Sequence, residues 1–111
     1  MHDRERLARM TARNLEGLEL ERGGRLEEAL AVYELNVAEG FEGDWPYGRL
    51  VAAYERSGQL ERAAAVLERA IEVFSASRRR TAADRRATLR VFKGRLREVK
   101  RAMTGRRKRP R

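Results

Sequence analysis

An all-α fold, two helix-turn-helix hairpins followed by a C-terminal capping helix, is predicted by three observations. The 111-residue chain matches itself at a displacement of 34, with Leu20 over Tyr54, Gly24 over Gly58, Leu26 over Leu60, Ala29 over Ala63 and Tyr33 over Leu67. Within each copy the apolar residues recur at spacings of 3 and 4, the period of a helix with one buried face. The composition agrees: charged residues make up 39% and aromatic residues 6%, enough apolar material for one modest core that removes roughly 60 to 70% of the unfolded surface from water.

The elements follow in order. A first helix leads to the turn Gly23-Gly24, with Gly17 small enough to let a neighbouring helix approach. Leu26, Ala29, Leu30, Tyr33 and Val37 then form the buried face of a second helix, which the stretch Gly40 to Gly43 ends. Asp44 is placed to N-cap a third helix with Pro46 in its first turn, and that helix ends near Arg56. Ser57-Gly58 makes the second hairpin turn, where glycine tolerates the left-handed backbone of a helix end. Leu60, Ala63, Ala64, Leu67, Ala70, Ile71 and Phe74 line the fourth helix. The repeats are thus expected at about 10–43 and 44–77. A capping helix at about 81–103 carries Ala82, Leu89, Phe92, Leu96, Val99 and Met103 as a narrow apolar stripe, and 104–111 is expected to be a disordered basic tail.

On these residues the chain resembles the tetratricopeptide repeat family over about residues 10 to 76, and small two-repeat bacterial members of that family in particular. Tyr47, Leu50, Tyr54, Gly58, Ala63, Leu67 and Ala70 stand where the family places its aromatic, leucine, tyrosine, turn glycine and small alanines. Gly17, Gly24, Ala29 and Tyr33 fit the first repeat, which departs from the pattern at Glu16 and Asn36; Phe41 and Ser75 replace the usual closing prolines. The resemblance implies a short right-handed solenoid and a non-catalytic adaptor that holds a protein segment, a peptide or a helix, in a groove lined by the first helix of each repeat. The matching groove positions are Asn14, Leu18 and Arg22 in the first repeat, and Trp45, Arg49, Ala52 and Arg56 in the second, with Thr11, Leu15, Glu21, Gly48 and Glu55 beside them. Trp45 and Arg49 are residue types that carry interface energy; the bland alternative is that Trp45 staples its helix and Arg49 pairs with a nearby acid. The lysine and asparagine clamp with which some members hold a C-terminal carboxylate is not reproduced.

Catalysis and cofactors find no support. The absence of cysteine removes disulfides, thiolate nucleophiles and cysteine-based metal centres, and points to a reducing cytoplasm. His2 stands alone near the terminus, the acidic pairs Glu27-Glu28 and Glu39, Glu42, Asp44 suit helix ends and loops, and Gly23-Gly24 lacks the lysine of a phosphate loop. No catalytic residue, metal ligand or cofactor is assigned. No apolar run is long enough to span a membrane, and Met1 to Arg13 is not a secretory signal.

Charge is strongly segregated. Residues 1–77 carry 10 basic and 15 acidic side chains, whereas 78–111 carry 16 and 2, within a chain of net charge +9. Arg86, Arg90, Lys93, Arg97 and Lys100 form a stripe along the capping helix, and Arg106, Arg107, Lys108 and Arg109 extend it into the tail. These are the candidate contacts for weak, sequence-independent binding of nucleic acid through its phosphates, the alternative being a solvated outer face. Self-association is a third expectation, because two repeats leave an apolar flank that a second copy could cover.

Overall fold

The computed structural model describes residues 2–108. Five helices follow one another: α1 (His2–Arg22), α2 (Leu26–Ala38), α3 (Trp45–Arg56), α4 (Leu60–Ser75) and α5 (Ala82–Lys108), with no strand among the described residues. The first helix begins well before the repeat boundary expected near residue 10. The last runs five residues beyond Met103, so the expected tail is helical as far as Lys108, and only 109–111 lie outside the described residues. Three bonds accompany the extension: the Thr104 hydroxyl donates to the Lys100 carbonyl at 3.0 Å, and the Arg106 guanidinium donates to the Gly58 carbonyl at 3.3 Å and to the Glu61 carboxylate.

The turns that follow α1 and α3 are built alike, 34 residues apart. At the first, Gly24 N–H donates to the Glu21 carbonyl and Arg25 N–H to that of Leu20; at the second, Gly58 donates to Glu55 and Gln59 to Tyr54. This bond pair closes a helix only if one residue turns left-handed, and Gly24 and Gly58 do so at φ of 76° and 75°. The Asp44 carbonyl accepts the first bond of α3 from Gly48, which puts Asp44 at the expected cap position.

The chain divides into two compact units, one ending at Leu50 and one beginning at Val51, so the division falls inside α3. In the first, α1 packs on α2 around buried Met10, Ala29, Tyr33 and Val37, with Tyr47 and Leu50 of α3 also buried. Gly17 permits this packing: a Cβ there would overlap the Tyr33 ring. Leu26, expected on the buried face, is instead exposed at the start of α2.

In the second unit α4 packs on α5. Phe74 meets Phe92 with ring centroids 5.3 Å apart, Glu68 lies near Lys100 and Glu61 near Arg106, so the two helices run antiparallel. Val51, Tyr54, Ala63, Val66, Leu67, Ala70, Phe92 and Val99 are buried there, and Leu89, Leu96 and Met103 half-buried. Ala82, placed on the apolar stripe by its spacing, is exposed in the first turn of α5.

Candidate partner-binding site

The local order around Trp45 begins with an acid at the end of α1. Glu21 accepts a two-pronged bond from Arg49, with Nε at 3.1 Å from Oε2 and a terminal nitrogen on Oε1. The Tyr33 hydroxyl donates to the same Oε2 at 2.6 Å. Arg49 also lies 5.6 Å from the centre of the Trp45 ring, within cation–π range. Three helices therefore meet in one network, and Trp45 lies against it through the Arg49 guanidinium while 43% of its surface stays exposed.

Charge in this network is locked. Burial, and then the bond to Glu21, push the Tyr33 hydroxyl above its ordinary pKa, while the Glu21 carboxylate holds the Arg49 guanidinium still more firmly protonated. Neither group is poised to exchange a proton near neutrality. The arrangement presents a half-exposed aromatic ring beside a tethered guanidinium.

The other groove positions are treated differently. Asn14 is turned inward, accepting from the Asn36 amide at 2.8 Å, and Leu18 is half-buried. Arg22 is exposed and lies 3.4 Å from Glu19. Along α3, Ala52 is half-buried and Arg56 exposed, so Trp45, Arg49, Ala52 and Arg56 follow one line of the helix at spacings of 4, 3 and 4. Sequence reasoning named both chemistries for Arg49, and the acid pair is the one formed. It placed Glu21 among the groove positions without foreseeing that this carboxylate gathers both Arg49 and the Tyr33 hydroxyl.

The basic residues also separate. Arg86, Arg90, Lys93 and Arg97 are exposed on α5, whereas Lys100 lies 3.8 Å from Glu68 and Arg106 is bonded to Glu61. Arg107 and Lys108 belong to the last turn of α5, and Arg109 lies outside the described residues. Arg95, absent from the sequence-based set, pairs with Glu55 at 2.6 Å. Among the described residues no group of His, Cys, Asp or Glu could hold a metal ion, and no helix is long and apolar enough to cross a membrane. Comparison with protein-family models, curated proteins and solved structures finds no match to this chain.

Proposed function

We propose that the chain is a non-catalytic protein-interaction module built on two tetratricopeptide-like hairpins, and that it holds a peptide or helix of its partner along the exposed line of α3, with Trp45 as the anchor. The observation that carries this reading is the half-exposed indole beside a guanidinium that Glu21 holds in place. An exposed tryptophan on a free rotor loses entropy when a partner orders it; one already in cation–π contact with a tethered Arg49 loses less. The repeat reading is supported by the matched turns at Gly24 and Gly58 and by Ala29 over Ala63 and Tyr33 over Leu67, all four buried.

The test is to pan a random peptide library on the full chain. Enriched peptides should bind at least tenfold more weakly to Trp45→Ala and to Arg56→Glu, with helix content unchanged by circular dichroism. Trp45→Phe, which keeps a ring of smaller area beside Arg49, should fall between. No enrichment, or enrichment indifferent to Trp45→Ala, would remove the α3 surface from consideration.

A further inference from the structure

The described cations of α5 differ in what faces them. Four meet oxygens of the second unit: Arg85 the Ser77 carbonyl at 2.9 Å, Arg95 Glu55, Lys100 Glu68 and Arg106 Glu61. Arg86, Arg90, Lys93, Arg97 and Arg101 are all exposed, and among the described residues none of them takes part in an ion pair. At about 100° per residue these five fall within an arc of about 80°, in a single file about 22 Å long.

A face that needed only to be wetted would mix both signs, as α1 does with Asp3, Glu5, Glu16, Glu19 and Glu21 set among its five arginines. The α5 sequence instead holds eleven basic and two acidic residues. Asp84 is spent at its first turn, and Glu98, on the flank of the file, bridges to none of its members. Like charges at spacings of 3 and 4 repel along a helix, so the file is a standing cost to α5 that an external anion would relieve.

We infer that this file is a binding surface for the phosphate backbone of nucleic acid, read without regard to base sequence. A one-residue-wide line of cations complements a linear polyanion. The file contains no amide, hydroxyl or aromatic side chain, and its uniform cations at regular spacing match the regular phosphates, which carry no base sequence. An anionic lipid surface is the poorer fit, because the apolar side of α5 is already committed: Phe92 and Val99 are buried and Phe92 rests on Phe74, leaving no apolar face to enter a bilayer. The inference does not depend on the reading of Trp45.

Fluorescence anisotropy of labelled mixed-sequence RNA and DNA, titrated with the full chain from about 50 to 200 mM salt, tests the inference. Five neutralised phosphates give a log–log salt slope of about −4.5 on duplex and about −3.5 on single strands, hence a loss of about 500-fold or about 100-fold over that range. Replacing the file together, Arg86→Gln, Arg90→Gln, Lys93→Gln, Arg97→Gln and Arg101→Gln, should abolish binding at 150 mM salt and flatten the slope. Glutamine is a good helix former, so unchanged helicity separates this from unfolding. A second variant, Arg107→Gln, Lys108→Gln, Arg109→Gln and Arg111→Gln, should keep most of the affinity. Binding that follows the second variant instead of the first, binding that vanishes at 150 mM salt in the unaltered chain, or tighter binding to vesicles of phosphatidylserine and phosphatidylcholine than to nucleic acid would each overturn it.

Discussion

Asn36 shows what a single polar side chain costs and how the cost is met. It is fully buried where the repeat pattern favours alanine, yet its amide nitrogen donates to the Met10 carbonyl at 2.7 Å and to Asn14 at 2.8 Å, and Arg13 approaches its oxygen at 3.4 Å. Every polar atom is served, so the residue fixes the register of α1 on α2 in place of opening a gap. Gly17 acts on the same interface by having no side chain. Gly17→Ala is expected to destabilise the first unit by about 1–3 kcal/mol through overpacking against Tyr33, although alanine is the better helix former, and denaturant unfolding would show it. An unchanged or raised midpoint would mean that the ring yields without cost. Glu39 makes a pH prediction. Its bond to Arg13, helped by Arg9, holds its carboxyl below the usual range, so the stabilisation is present above the unfolded pKa and is lost as pH falls through the folded one. The difference in melting temperature between the unaltered chain and Glu39→Gln should therefore shrink as pH drops from 7 to about 3; a constant difference would contradict this.

At the scale of elements, α2 and α5 both depend on other helices for what their own sequences lack. The last turn of α2 carries no basic residue and is followed by the acid Glu39, an unfavourable pairing with the negative end of the helix dipole. Arg6, Arg9 and Arg13 of α1 supply the missing cations, Arg6 bonding the Glu39 carbonyl directly. Helix α5 is held by an aromatic contact and a ladder of carboxylates. Phe92→Ala should cost about 3–5 kcal/mol and lower the urea midpoint of the second unit, and a loss below about 1 kcal/mol would show that the charged ladder alone secures α5. This is also where the sequence is most and least informative. The ends of α1 and α3 are legible because a left-handed glycine is a local requirement, visible at Gly24 and Gly58 without any tertiary knowledge. The end of α5 is not, since Gly105 and the basic run after it read as a break, while the groups that extend the helix, Gly58 and Glu61, belong to residues more than 40 positions away. The site divides in the same way. Trp45 and Arg49 stand out by residue type, but the bond of Arg49 to Glu21 spans 28 positions, and a spacing of 4 and 3 cannot tell which arginines of α5 will face an acid.

Across the whole chain, charge follows the division into units. Residues 1–50 carry seven basic and eleven acidic side chains, while residues 51–111 carry nineteen and six. Opposite fields on two compact units favour different classes of partner, a polyanion for the second unit and not for the first. The all-helical fold alone would not have distinguished these roles, because such folds serve many of them. The pairing of inward cations with Glu55, Glu61 and Glu68 has a further effect on how the chain can change over time. Residues that hold α5 in place and residues of the outer file share a helix but no ion pair, so substitutions in the file leave the bonds to Glu55, Glu61 and Glu68 in place. Selection, or a protein engineer, can thus rewrite the outward face of α5 in charge and in length of side chain while the inward face is kept, giving descendants of one scaffold with different ligands.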